Sequence, residues 1–118
     1  YDHRLGTFAG FSGRGFTTDN RYKPDIAAPG VGVTVAFGDE FYSVADGTSI
    51  SAAFVSGCAA LLMQWGQIEG NDPFMYGERL KAQIIRGARP VETIQNYPNR
   101  YIGWGTVCMR DSFRGLIV

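Results

Sequence analysis

The chain has 118 residues, a mass of 12.9 kDa, and 11 basic residues balanced by 11 acidic ones. Hydrophobic residues make up 45% of the chain and charged residues 19%, a composition that indicates a folded globular protein and excludes a disordered one. The zero net charge gives no general attraction to nucleic acid or to an anionic membrane surface. The longest apolar run, residues 57–63, is shorter than the ~20 residues of a membrane span, so we expect neither nucleic acid nor membrane as a partner.

The start of the chain and its two cysteines set further expectations. The sequence begins YDHR, with no initiator Met and no leader-like segment, which is typical of a piece of a larger domain or of a processed product. Cys58 and Cys108 lie too far apart for a metal-binding pair or a dense disulfide framework, so we expect two buried or partly buried thiols. We expect no metal and no cofactor.

The first half of the chain predicts short strands and turns. Residues 7–12 alternate well enough for a short strand, and residues 25–28 form a short apolar run that the Pro-Gly pair at 29–30 ends. Residues 31–37 are rich in β-branched side chains and predict a strand. After a turn, residues 41–45 predict the second arm of a hairpin.

The second half predicts helices. Residues 49–65 carry apolar side chains on nearly every face, which predicts a buried helix that Gly66 ends. Asp72 followed by Pro73 indicates the start of a second helix over residues 73–86, with Phe74, Leu80, Ile84 and Ile85 facing inward. A further short segment is expected near residues 111–113.

The candidate functional site lies where the predicted hairpin meets the first helix, at residues 46–53 (DGTSISAA). The first N–H groups of a helix have no intrahelical partners, and the helix dipole places partial positive charge there. Ser49 at this point can present its hydroxyl outward, and its N–H can donate to a developing oxyanion. The simpler alternative is that Thr48 or Ser49 only caps the helix end.

Three segments around this site carry a resemblance to a known family. Residues 23–30 read KPDIAAPG, residues 47–53 read GTSISAA after the hairpin, and residues 99–105 read NRYIGWG. Together they resemble the catalytic-serine region of subtilisin-like serine proteases, in which an APG strand end precedes a Gly-Thr-Ser motif and a G-x-G segment closes the region. The resemblance extends over about residues 7–113, and its details are most similar to the clostridial spore-germination subtilases.

The resemblance implies that residues 1–118 are the C-terminal part of one subtilase catalytic domain, with an α/β fold of three layers (α/β/α) around a mostly parallel sheet. It implies a serine endopeptidase that hydrolyses peptide bonds through an acyl-enzyme on Ser49, with Gly47 and Thr48 supporting the turn and the bound substrate. The family's Asp, His and oxyanion Asn precede its Ser along the chain. We therefore expect two partners, a peptide or protein substrate and the remainder of the parent catalytic domain, and an inactive chain in isolation.

This chain departs from the family pattern at two positions, and its own histidine and aspartates are poor candidates for the catalytic base and acid. Ala53 and Phe54 stand where the family commonly has Pro and then His. His3 is the single histidine, and we expect it to be an exposed loop residue rather than the base. Asp46 is expected to be a turn or capping residue, and Asp25 a backbone-bonding or exposed carboxylate.

Four aromatic residues are further candidates for contact with a substrate. Tyr22, Phe37, Tyr42 and Trp104 suit either a peptide groove or the core, and the core is the commoner place for such side chains.

The alternative to an active protease is a pseudoprotease, or a regulatory or interaction module with the subtilase fold. The resemblance suggests a secreted or spore-associated bacterial protein, and we expect the isolated chain to self-associate through uncovered apolar surface.

Overall fold

The computed structural model describes residues 1–116 of the chain. Two strands come first, β1 (Val33–Phe37) and β2 (Phe41–Ala45), and three helices follow, α1 (Thr48–Met63), α2 (Gly77–Arg86) and α3 (Met109–Phe113). A π-helical turn, Gln64–Ile68, continues α1. The remaining segments are loops and turns that isolated bridges join.

The predicted hairpin is confirmed. β1 and β2 pair antiparallel in a register that sets Val33 opposite Ala45 and Phe37 opposite Phe41. Its strands hold β-branched and aromatic side chains, which suit a pleated surface. The end of β2 leads within a few residues into α1, so the hairpin delivers the candidate serine to the start of that helix.

The predicted strand over residues 7–12 is wrong. Thr7 makes an isolated antiparallel bridge to Asp2, and the chain then turns, with the N–H of Ser12 donating to Ala9 O at 2.9 Å. An alternating pattern forms a strand only when a neighbouring strand accepts its backbone hydrogen bonds, and the described residues place no such neighbour here.

The short apolar run at residues 25–28 is held by the tail of the chain instead of by the hairpin. Ala27 bridges Thr106 in parallel, with Ala27 N donating to Gly105 O and Val107 N donating to Ala27 O, both at 2.8 Å. Thr106 also pairs antiparallel with Arg89. Residues 105–107 therefore tie the early loop to the segment that follows α2.

Helix α1 forms where the periodicity predicts it, but this chain does not enclose it. Only Cys58 and Leu62 on the helix are buried, while Phe54 is 44% exposed and Leu61 is 54% exposed. The helix is therefore only partly buried, in line with the expectation of uncovered apolar surface, because α2 contacts one side of α1 and the described residues leave the opposite side uncovered.

The continuous helical segment that begins with α1 is longer than the apolar run in the sequence indicates. α1 and the π-helical turn together run over Thr48–Ile68, 21 residues with a mean hydropathy of 1.3 in their most apolar stretch, which is long and apolar enough to cross a membrane. The run at residues 57–63 underestimates this length because glycine, serine and glutamine interrupt the apolar residues. Core helices of soluble proteins share these properties, so the finding assigns no membrane partner.

The predicted start of the second helix is wrong. The Asp72 carboxylate accepts from Phe74 N at 3.0 Å and from Arg79 Nε at 2.6 Å, so it stabilises a separate turn that precedes α2. In that turn Met75 is buried in the core and Phe74 is exposed. Gly66 makes room for Met75, because a Cβ added at Gly66 would lie only 2.5 Å from the Cβ of Met75.

The core lies between α1, the turn before α2, and α2. Leu62, Met75 and Ile84 are its buried centre. Trp65 and Phe113 meet edge to face, with ring centroids 5.9 Å apart, and bring α3 onto the same cluster. The partly buried residues around this centre include Val55, Ala59, Leu80, Val107 and Leu116.

We predict that the isolated 118-residue chain self-associates through the uncovered face of α1. Sedimentation velocity over a concentration series should show a rising mean mass, because Phe54 and Leu61 leave apolar surface in water. The double variant Phe54→Asp/Leu61→Asp should shift the mass toward the monomer. Thr34→Asp, which places a charge on the exposed side of β1, is the control and should not; a strictly monomeric wild-type chain would contradict the prediction.

Candidate active site at the first turn of helix α1

Ser49 lies at the opening of α1 and its residue is exposed. It is the second residue of the helix, after Thr48, and Gly47 occupies the N-cap position with φ 149° and ψ 154°. The first hydrogen bonds of the turn come from Ile50 N and Ser51 N, which both donate to Gly47 O. In the described part of the chain the N–H of Ser49 therefore remains available to a ligand.

Gly47 is required here by its backbone conformation. A φ of 149° lies in the region that side-chain-bearing residues rarely adopt, whereas the space around the position is open, since an added Cβ would approach only Ser49 N at 3.9 Å. The residue thus sets the direction in which the chain enters the helix. The sequence assigned Gly47 and Thr48 to turn and substrate support, and their place beside Ser49 fits that prediction without testing it.

The loop at residues 28–30 is packed directly onto the first turn of α1. Ser51 Oγ donates to Ala28 O at 2.9 Å, and Gly47 N donates to Gly30 O at 2.8 Å. An added Cβ on Gly30 would fall on Ser51 Oγ and lie 2.9 Å from Gly47 O. This contact explains why Gly30 and Ser51 accompany the Gly-Thr-Ser segment.

Asp46 closes the base of the hairpin. Its Oδ1 accepts from the N–H of Gly32 at 2.6 Å, which joins the residue before β1 to the residue after β2. The prediction of a local turn or capping residue is wrong, because the partner of the carboxylate lies 14 residues away and no side chain caps α1. The carboxylate is engaged with backbone and holds the entry to α1 in place.

The two remaining groups considered as partners of Ser49 lie elsewhere. His3 is exposed in the turn near the start of the chain, as expected. Asp25 forms ion pairs with Lys23 Nζ at 2.6 Å and Lys81 Nζ at 3.0 Å, so the prediction of a backbone-bonding or exposed carboxylate is wrong. Sequence could not show this pair of contacts because Lys81 comes from α2, far along the chain.

The ion pairs shift the protonation of Asp25. Burial opposes its ionisation, but the hydrogen bonds and charges of Lys23 and Lys81 outweigh burial and hold its pKa below the ordinary value of 3.8. Asp25 is therefore a charged structural link between the early loop and α2.

The four aromatic residues singled out by the sequence are exposed. Tyr22, Phe37, Tyr42 and Trp104 keep between 47% and 79% of their surface in water, so the expectation of core positions is wrong. The aromatic residues beside the candidate site are Phe8 and Tyr101, whose rings stack with centroids 4.8 Å apart. No local pattern links these two residues, because opposite ends of the chain supply them.

A cavity of about 370 Å³ runs along the inner side of the first turn of α1. Thr48 and Ser51 line one wall, the loop residues Ala27 and Ala28 line another, and the stacked Phe8–Tyr101 pair lies at its edge. Its lining is largely apolar, with the paired carboxylate of Asp25 on one side, which favours apolar groups over a charged ligand. Ser49 itself faces solvent beside this cavity and does not line it.

The cysteines match their prediction. Cys58 is buried, Cys108 is half-buried, and both are free thiols. Burial raises the pKa of the Cys58 thiol, and the nearby Cys108 adds to the shift. Among residues 1–116 no three His, Cys, Asp or Glu side chains converge as a metal site.

The chain matches a known protein family over most of its length. The subtilase family of peptidases matches residues 3–105, and the chain therefore belongs to the subtilase family. The C5a peptidase of Streptococcus pyogenes serotype M18 (strain MGAS8232) is 40% identical over 62 residues, 52% of this chain. The PII-type proteinase of Lactococcus lactis subsp. cremoris is 30% identical over 98 residues, 75% of this chain.

A solved structure shows the same fold at higher coverage. The structure of the CspB protease of Clostridium perfringens superposes with a TM-score of 0.92 over 99% of this chain, at 39% sequence identity. The predicted resemblance to subtilases, its clostridial character and the α/β fold class are confirmed. This chain spans 25% of the CspB chain and 5% of the length of the two curated relatives.

We predict that Gly30→Ala lowers the free energy of unfolding by about 1–3 kcal/mol, because the new methyl group overlaps Ser51 Oγ and crowds Gly47 O. Urea denaturation of the protein and the variant measures the difference. Gly10→Ala is the matched control, since an added Cβ there meets nothing within 4 Å. Equal losses in the two variants would show that the contact at Gly30 does not constrain the turn.

We predict that Asp25 stabilises the protein above pH 3.8 and loses this effect as the pH falls through its lowered pKa. The difference in free energy of unfolding between the protein and Asp25→Asn should be constant above about pH 5 and shrink in acid. In the Lys81→Gln background the difference should be smaller at neutral pH and its decline should end at a higher pH, because one of the two cations that lower the pKa of Asp25 is gone. A difference that persists unchanged in strong acid would refute the role of the two lysines.

Proposed function

We propose that this chain carries the nucleophile of a serine endopeptidase, and that the hydroxyl of Ser49 attacks the carbonyl carbon of a peptide bond. The C–N bond then breaks and releases the amine product, and water hydrolyses the resulting acyl-enzyme to the carboxylic acid. One observation carries the proposal: an exposed serine at the first turn of α1, in a chain of the subtilase family. The named relatives are all proteases, which supports the same reaction here.

The local geometry suits the developing charge of that reaction. The tetrahedral intermediate carries an oxyanion, and the N–H of Ser49 points from a helix end whose dipole favours negative charge. Gly47 has no side chain between the turn and an approaching peptide, and Thr48 holds the first helical position. Loss of a single oxyanion donor costs about 100- to 1,000-fold in rate in comparable sites.

The reaction needs groups beyond those that this chain brings to Ser49. A serine hydroxyl is a weak nucleophile until a base takes its proton, and a buried acid must orient that base. His3 is exposed near the start of the chain, while Asp25 and Asp46 are engaged with lysines and backbone. We propose that the remainder of a larger catalytic domain supplies the base, the orienting acid and a second oxyanion donor.

The proposal gives this chain two binding partners. The first is the remainder of the catalytic domain, which supplies the missing groups, and the second is the peptide or protein substrate. The uncovered face of α1, with Phe54 and Leu61 exposed, is a surface that such a remainder would cover. The chain's coverage of 25% of the CspB chain supports this view. Without those partners the chain is proposed to be inactive.

We predict that a fluorophosphonate probe labels Ser49 stoichiometrically in the full-length protein and leaves the isolated 118-residue chain unlabelled. The probe reacts only with an activated serine, so the contrast reports whether the base comes from outside this chain. Peptide mapping by mass spectrometry locates the label. In the full-length protein Ser49→Ala should remove both labelling and hydrolysis.

Ser56→Ala is the matched control, because Ser56 lies on the same helix with its hydroxyl donating to Ala52 O at 3.0 Å. It should keep labelling and hydrolysis. Stoichiometric labelling of the isolated chain would refute the requirement for the remainder of the domain. A folded full-length protein that is neither labelled nor active would favour the regulatory alternative and overturn the proposed reaction.

A further inference from the structure

Arg14 is held in a defined position near the candidate site. Its Cζ lies 4.9 Å from the centroid of the Phe8 ring and 5.7 Å from that of the Tyr101 ring. These two rings stack on each other with an interplanar angle of 27°. A guanidinium that packs on aromatic rings loses less freedom when it binds a ligand than one on a free side chain, because its plane is already oriented.

The charge of Arg14 is not neutralised in the described part of the chain. The ion pairs found over residues 1–116 include neither Arg14 nor Arg100, whose Cζ lies 5.2 Å from the Tyr101 ring centroid. Lys23 lies nearby but is already paired with Asp25 at 2.6 Å. Two guanidinium groups thus contact one aromatic pair, and no carboxylate among residues 1–116 pairs with either of them.

Arg14 and the start of α1 line the same depression. A cavity of about 390 Å³ is lined by Ser12, Gly13, Arg14, Lys23, Pro24 and Thr48. Thr48 immediately precedes Ser49 in the chain, and successive residues of an extended peptide advance by about 3.3 Å. A side chain within a few residues of a bond held at Ser49 therefore reaches this cavity.

We infer that Arg14, with Arg100 beside it, forms a subsite for the carboxylate side chain of an acidic substrate residue within about three positions of the scissile bond. The inference rests on the proposed function, since it places the substrate by the position of Ser49. The planar fork of an arginine matches a carboxylate with two parallel hydrogen bonds, which selects Glu or Asp over the isosteric amides. The Phe8 and Tyr101 rings keep water from one side of the guanidinium of Arg14.

The test uses the full-length protein and pairs of peptides that differ only by Glu or Gln at each of three positions on either side of the cleaved bond. At one position or more, kcat/KM should favour Glu by about fivefold, the effect of one ion pair at a partly exposed site. Raising the salt concentration from about 0.05 M to about 1 M should reduce that ratio, because exposed charges are screened.

Variants then assign the preference to the arginine. Arg14→Gln should bring the Glu/Gln ratio close to unity, and Arg14→Lys should retain part of it, because the charge remains while the fork is lost. Arg110→Gln is the matched control, since its side chain is 81% exposed on α3, and it should keep the ratio. Arg100→Gln provides a second reduction that does not depend on the folding of the Arg14 variants.

The outcomes separate this inference from the function beneath it. Hydrolysis with equal kcat/KM for every Glu and Gln pair overturns the acidic subsite and leaves the peptidase proposal standing. A Glu preference that survives unchanged in Arg14→Gln also overturns it. Absence of hydrolysis together with absence of Ser49 labelling overturns the proposed function, and the subsite falls with it.

Discussion

The close approach of the loop at residues 28–30 to the first turn of α1 is the contact on which the candidate site depends. Gly30 has no Cβ, so Ser51 Oγ and Gly47 O can come against its backbone, and Ser51 then donates to Ala28 O at 2.9 Å. This contact fixes where the helix begins and therefore where Ser49 lies. Any side chain at position 30 would displace the turn that presents the hydroxyl.

The tail of the chain supports that loop from the other side. Gly103 lies so close to the segment at residues 24–25 that an added Cβ would fall on Pro24 O, and Trp104 N donates to Asp25 O at 2.9 Å. The next residues pair with Ala27. Backbone hydrogen bonds thus connect the tail to residues 24–30, and residues 24–30 to Gly47, and together they hold the turn that carries Ser49. The NRYIGWG and APG segments, which carry part of the resemblance to the family, are thus joined by direct backbone contacts in this structure.

The elements with strong local signals were predictable and the others were not. The hairpin follows from its β-branched residues and the turn between its arms, and α1 follows from apolar residues that recur at three and four. Both lie close to their predicted bounds. The second helix begins later than Asp72 and Pro73 suggest, because Arg79 recruits the Asp72 carboxylate into a separate turn. The strand at residues 7–12 failed because alternation records which side chains face a core but not whether a neighbouring strand exists.

The sequence by itself determined the position of Ser49 at a helix opening, because the Gly-Thr-Ser segment, the helix period and the turn residues all act within a few residues of one another. It also determined the family, through the resemblance carried by residues 23–30, 47–53 and 99–105. Only the tertiary structure decided what surrounds that hydroxyl. It showed Asp25 bound between Lys23 and Lys81, and the stacking of Phe8, Tyr101 and Arg14 beside the start of α1. It also showed how much of the apolar helix this chain leaves uncovered. These features join residues distant in the chain, and local patterns carry no information about which distant segments meet.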